Sequence, residues 1–227
     1  MNIQQNPTIA TRIESIKSRL ASAAKRFDRT QNEIKLIAVS KFHPIETIHE
    51  ALLTGHRTYG ENRVQEAHDK WPTLKERFSD IELHLIGPLQ TNKAKLALSL
   101  FDVIETIDRK KLVDAVVKEL PNITPSPKFY IQVNIGEEEQ KAGVSINELE
   151  DLLLYCKEQK LTIDGLMCIP PSDKPAAPYF ALLRKHANKH LIKELSMGMS
   201  GDFEEAIQQG ATSIRVGTAI FGERENL

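Results

Sequence analysis

Lys41 closes the run KLIAVSK (residues 35–41), in which Leu36, Ile37, Ala38 and Val39 form a short apolar stretch bounded by polar residues. A stretch of this length, followed by Phe42-His43-Pro44 and a helical pattern, fits a parallel strand covered on both faces, with Lys41 at its C-terminal end. Strand ends of this kind are where α/β folds place their chemistry, and an amine there is a candidate Schiff-base nucleophile. Taken alone, a solvated strand-end lysine is the commoner explanation.

Two glycine-containing segments near the C-terminus suit an anion. Met197-Gly198-Met199-Ser200-Gly201 offers small residues and a hydroxyl, and Gly217-Thr218 stands at the start of a short helical pattern. Glycine lets backbone approach an anion, and free N–H groups at a helix start favour it. Each segment by itself is equally an ordinary turn. Arg215 lies between them in Ser213-Ile214-Arg215-Val216-Gly217, where alternation puts 213, 215 and 217 on one face. An arginine there needs a partner, which is either a bound acceptor or a structural ion pair.

Other chemistry-bearing residues are less pointed. His186 and His190 share a helix face, but no HExxH pattern accompanies them, so a solvated face is the simpler reading. His84, inside an apolar strand, reads as a satisfied core histidine. Glu137-Glu138-Glu139 reads as a solvated loop, and Lys141 beyond it as a surface lysine or a secondary basic site. GxSxG, Walker A and GxGxxG motifs do not occur.

The elements that must position these residues alternate regularly. A first helix is expected from Asn6-Pro7, a cap followed by proline at the first helical position, to about Phe27, with Ile9, Ile13, Ile16, Leu20, Ala24 and Phe27 on one face. Strands are expected over 36–39, 58–61, 81–87, 103–107, 129–133, 163–169, 194–199 and 213–217. Helices fill the intervals, over 44–55, 63–77, 91–99, 109–121, 179–192 and 202–209, with one opening at Ser145 that buries Leu149, Leu152, Leu153 and Cys156 and a short last one ending near Arg224. Ser145 with Glu148 and Asp202 with Glu205 have capping-box spacing, and Gly55 is a C-cap signal. The polar loops 134–143 and 170–175 follow the fifth and sixth strands.

Eight strands alternating with helices, at lengths suited to right-handed crossovers and without a dividing linker, predict a single (β/α)8 TIM barrel over residues 1–227, with residues 1–30 as an extra N-terminal helix packing on it. The C-terminal mouth then carries Lys41, Glu61-Asn62, His84 to Gly87, Asn134, Met167 to Pro170, Ser200 and Gly217-Thr218. Barrel closure makes the first strand the neighbour of the eighth and second, so Lys41 falls between Gly217-Thr218 and Asn62. An amine beside an anion cup is what pyridoxal phosphate requires, since one end of that small ring forms an imine and the other carries a phosphate. A permanent cation such as Arg215 at the ring nitrogen would oppose its protonation and restrain carbanion chemistry.

Composition sets the limits. The chain has 227 residues, 41% hydrophobic, with net charge −1, and its interspersed charges give no footprint for nucleic acid. Cys156 and Cys168 are too few and too apolar in setting for a disulfide framework or zinc site, which points to a reducing compartment. The N-terminus lacks signal-peptide regions, and no segment approaches 18 consecutive apolar residues. A cytoplasmic chain without membrane partners is expected.

The ordered strings AVSK, GENRVQE, IGPLQTNK, VNIGEEEQKAG, DGLMCIPP, LSMGMSGDFEEAI and RVGTAIFGER, spanning about Leu36 to Arg224, resemble the pyridoxal-phosphate homeostasis proteins. The resemblance implies a barrel like the N-terminal domain of alanine racemase, without that enzyme's β domain. It implies Lys41 as the aldimine lysine, with phosphate held by Ser200, Gly217 and Thr218, Arg215 facing the pyridine nitrogen and Asn62 near the ring. It further implies a cofactor binder without established turnover, which holds, buffers and delivers pyridoxal phosphate to apoenzymes that depend on it; a monomer is expected. Amino-acid racemisation through the same lysine is the alternative; it needs a second base, which in alanine racemases comes from the partner subunit's extra domain. Two departures from the family pattern are Gly201, usually a larger small residue, and Glu105, usually polar and uncharged.

Overall fold

The structure, a computed structural model, describes residues 7–223. Its helices are α1 (Ile9–Arg26), α2 (Ile45–Leu53), α3 (Val64–Arg77), α4 (Ala94–Leu100), α5 (Lys110–Glu119), α6 (Leu149–Glu158), α7 (Ala177–Lys189), α8 (Phe203–Gln208) and α9 (Thr218–Phe221). The strands are β1 (Lys35–Val39), β2 (Thr58–Glu61), β3 (Glu82–Leu85), β4 (Val103–Ile107), β5 (Lys128–Val133), β6 (Gly165–Cys168), β7 (Glu194–Ser196) and β8 (Ser213–Val216). All eight run parallel and close in chain order, β8 pairing with β1, as the expected (β/α)8 barrel requires.

Parallel strands covered on both faces favour continuous apolar runs, and β1 has one in Leu36 to Val39; β4 and β8 are equally buried but carry Glu105, Thr106, Ser213 and Arg215 among their apolar residues. Their outward residues, among them Leu36, Ala38, Ile104, Ile214 and Val216, pack with the helices into one continuous core. α1 adds to it through Ile13, Ile16, Leu20 and Ala24. Arg29 then ties the entering chain to the barrel by donating to the carbonyls of Ile207 (3.1 Å) and Ala211 (2.7 Å).

Several boundaries differ from expectation for local reasons. Asn6 lies outside the described residues; Thr8 is the N-cap, its Oγ1 accepting from the Thr11 N–H at 3.2 Å, so Pro7 precedes the helix rather than opening it. Ser145 and Glu148 do bond each other, but they form a turn ahead of α6, which begins at Leu149. The second box is not formed. Asp202 Oδ1 turns back to accept from the Met199 N–H at 2.5 Å. The third helical interval opens with a 3-10 turn, Thr91–Lys93, before α4. α7 stops at Lys189, ahead of Leu191 in the left-handed region.

β7 is shorter than expected because Gly198 takes φ +94, a conformation natural only to glycine. A Cβ there would lie 2.5 Å from that of Ala206. The kink redirects 199–201 over the mouth while Gly198 O still accepts from the Arg215 N–H at 2.9 Å. β3 ends before Gly87, whose backbone is so close to β2 that a Cβ would meet Asn62 O at 2.2 Å.

Candidate functional site

The site is built at the strand ends. Lys41 follows Ser40, a fully buried residue whose N–H donates to Gly60 O at 3.1 Å and whose hydroxyl donates to Glu61 Oε1 at 2.7 Å. Phe42 then adopts φ +66, unfavourable for a bulky residue, and its N–H is held by Glu66 Oε1 at 2.6 Å. His43 N–H returns to Ser40 O at 3.1 Å. Lys41 is thus carried on a pinned turn.

A cavity of about 320 Å³ opens at this mouth, and its walls include Lys41, Asn62, Ser200, Arg215, Gly217 and Thr218. All six residues singled out in the sequence are brought together. Val39, Ile86 and Ile169 supply apolar wall. A larger cleft of about 760 Å³ involves Phe27, Arg29 and Leu195 at the N-terminal ends of the strands, away from this chemistry.

Alternation left the face of Arg215 open. It lies on the inner face, 4% exposed, in register with Ile37 of β1. Its Nη1 donates to Ser196 Oγ at 2.6 Å and its Nη2 to Cys168 O at 2.8 Å, with Glu105 Oε2 4.0 Å away. It therefore lines the cavity and has structural partners together.

His84 is the satisfied core histidine expected, between Glu105 Oε1 and Glu82 Oε1, each at 2.6 Å. Burial works against its charge, but the two carboxylates outweigh burial and raise its pKa. Glu105 is fully buried, and hydrogen bonding and charge from His84, then Arg215 and Ser196, overcome that burial and hold its carboxyl below the ordinary range. Glu61 shows the opposite balance. Burial pushes it up to about 6, only partly offset by Lys70 and Ser40, and its Oε2 has no hydrogen-bond partner among the described residues.

Lys141 is not in the cavity wall; it donates to Pro170 O at 3.1 Å and pairs with Glu138 at 2.6 Å. Gly201 is in the wall, and a Cβ there would meet nothing within 4 Å, so the departure from the family pattern leaves the loop undisturbed. Two residues escaped notice as site components. His43 lines the cavity and stacks on Phe221 with ring centroids 4.9 Å apart; its position two residues after Lys41 was the available signal. Ser196, fully buried under Arg215, had no local signal.

No protein-family model matches the chain. The pyridoxal phosphate homeostasis protein of Vibrio cholerae is 40% identical over 235 residues, 99% of this chain and 97% of that protein. The protein of the same description from Escherichia coli is 38% identical over 227 residues, 96% and 97% of the two chains. Among solved structures, PipY of Synechococcus elongatus with pyridoxal phosphate bound is 36% identical, with a TM-score of 0.81 over 95% of this chain and 100% of that one. Alanine racemase from Bacillus anthracis, 15% identical with a TM-score of 0.62, shares the fold over 95% of this chain and 57% of its own. Near-complete coverage at these identities is decisive: the chain belongs to the family of pyridoxal phosphate homeostasis proteins.

Proposed function

We propose that this chain binds pyridoxal 5′-phosphate in the cavity at the barrel mouth, holds it reversibly through Lys41, and buffers or delivers it to apoenzymes, serving intracellular vitamin B6 homeostasis without turnover of its own. The observation that carries the reading is the convergence of an amine, a guanidinium and hydroxyl- and glycine-bearing loops on one cavity of about 320 Å³. That donor set fits the group. Lys41 matches an aldehyde, Ser200 with Gly217 and Thr218 a phosphate, and Arg215 a ring nitrogen, with Asn62 beside the ring. When bound, the cofactor supplies an electrophilic aldehyde and a conjugated ring. The family descriptions and the bound PipY structure support the same ligand.

The chain's own residues favour holding over catalysis. Arg215 is always charged, and its two bonds to Ser196 and Cys168 keep the guanidinium at the cavity floor. A fixed cation there opposes protonation of a ring nitrogen and so weakens the ring as an electron sink, which racemisation requires. Among the described residues no helix is long and apolar enough to cross a membrane.

The test is a titration of the ligand-free protein with pyridoxal phosphate, read by absorbance, with Lys41→Ala as control. A visible band that borohydride fixes as a stable adduct on Lys41, and that the variant lacks, is expected. A colourless protein, or a band indifferent to Lys41→Ala, sinks the assignment.

A further inference from the structure

The interior of a barrel of this class is ordinarily filled by layers of branched apolar side chains. Here its axis carries a line of alternating charge. Lys35 bonds Glu82; Glu82 Oε1 and Glu105 Oε1 take the two ring nitrogens of His84 at 2.6 Å each; Glu105 Oε2 accepts from Ser196 Oγ at 2.5 Å; and Ser196 Oγ accepts from Arg215 Nη1 at 2.6 Å. His84, Glu105 and Ser196 are 1% exposed or less. The line begins at the N-terminal ends of β1 and β3 and ends on the guanidinium in the cavity wall.

The direction of every bond follows from the groups. Ionised carboxylates only accept, so a ring with a carboxylate oxygen on each nitrogen must donate from both and is an imidazolium. Arg215 only donates, so Ser196 accepts from it and spends its single proton on Glu105. The charges then read plus, minus, plus, minus, plus. Among the described residues, Tyr130 of β5, Cys168 of β6 and Glu194 of β7 are further ionisable groups near this line, and Lys41 stands at the mouth above it. Burial holds Tyr130 and Cys168 neutral, raising the tyrosine well above its ordinary range and the thiol to about 12. Those two add no charge to the alternation, and Glu194 and Asp164 face the line through Tyr130.

A buried ion pair is weak ground for stability, because apolar residues of similar volume serve that purpose as well or better. Its placement is more informative. We infer that Glu105 and Ser196 are positioning residues for Arg215, and that the charge line ending there sets the electrostatic potential that the cavity floor presents to its ligand; this rests on the cofactor reading above. Ser196 fixes where the guanidinium sits. Glu105, with His84 and Glu82 behind it, fixes how much of its charge is balanced.

The two roles separate experimentally in the full chain loaded with pyridoxal phosphate. Glu105→Gln removes the counter-charge, so the pH midpoint of the ligand's visible band falls, by about half a unit or more. Ser196→Ala leaves every charge in place and removes a charged hydrogen bond, so affinity drops about tenfold or more while the midpoint stays. A folded Glu105→Gln protein with an unchanged midpoint overturns the inference. Nitrogen-15 NMR of His84 in the unaltered, ligand-free protein decides the charge line even where Glu105→Gln does not fold. A ring protonated on both nitrogens at pH 7.5 supports it, and a singly protonated ring overturns it. Absence of any visible band in the unaltered chain instead overturns the cofactor reading, and the role toward the ligand falls with it.

Discussion

The Ser40 hydroxyl donates to Glu61 Oε1 at 2.7 Å, directly behind the wall that presents Lys41 and Asn62 to the cavity. The same oxygen accepts from Trp71 Nε1 at 3.2 Å, and Lys70 lies 3.9 Å away, but Oε2 is buried without a hydrogen-bond partner among the described residues. The neighbours of both cavity residues are thus fastened to each other through an incompletely satisfied carboxylate.

That carboxylate gives a prediction with a definite sign. Its folded pKa of about 6 exceeds the ordinary 4.5, so the native state binds the extra proton between these values. The stabilisation is fully present below pH 4.5 and is lost as pH rises through 6, costing roughly 2 kcal/mol above that window. Glu61→Gln keeps an acceptor for Ser40 and removes the titration. Urea unfolding between pH 4 and 7 should lose this falling component; an unaltered pH profile contradicts the assignment.

His56 acts in the other direction. Its Nε2 contacts Thr58 O at 2.8 Å, and burial lowers its pKa from 6.5 to about 4, so the folded ring stays neutral. Its contribution is present above pH 6.5 and is lost as pH falls through 4, worth roughly 3 kcal/mol. NMR titration of the His56 ring should show no protonation at pH 5.5. A midpoint near 6.5 would contradict the burial argument.

Ser200→Ala tests the anion cup. The hydroxyl lies in the cavity wall on the loop bent by Gly198, and its loss should weaken pyridoxal phosphate binding by roughly 1.5 to 3 kcal/mol, the worth of one charge-assisted hydrogen bond. Thermal stability should not change. Equal affinity in the variant would place the phosphate elsewhere.

Gly87→Ala tests how tightly β2 and β3 set the cavity. A Cβ at 87 would lie 2.2 Å from Asn62 O and 2.7 Å from Asn62 Cα, both backbone, so the wall itself must shift. A stability loss of about 1–3 kcal/mol is expected, together with weaker ligand binding because Asn62 moves. Retention of both properties would show that the approach is looser than its geometry.

Much of the architecture was legible because the signals are local. Short apolar runs such as 36–39, separated by helical periodicities, specify strand, helix and barrel without reference to distant residues. Where expectations slipped, at Pro7, at Asp202 and at the end of β7, a nearby backbone group competed for the cap or glycine bent the strand. Burial of short segments is a property of composition; the bond a polar side chain selects depends on which neighbours arrive.

What the sequence by itself determined was the order of strands, the lysine at the end of the first, and the glycine- and hydroxyl-bearing loops at the end of the seventh and start of the last helix. Only the tertiary structure decided that Arg215 points inward and is fastened through Ser196 to Glu105, a residue 91 positions earlier than Ser196. The reason is that periodicity reports burial along one segment, whereas the pairing of charges across a closed barrel is fixed by register between strands far apart in the chain.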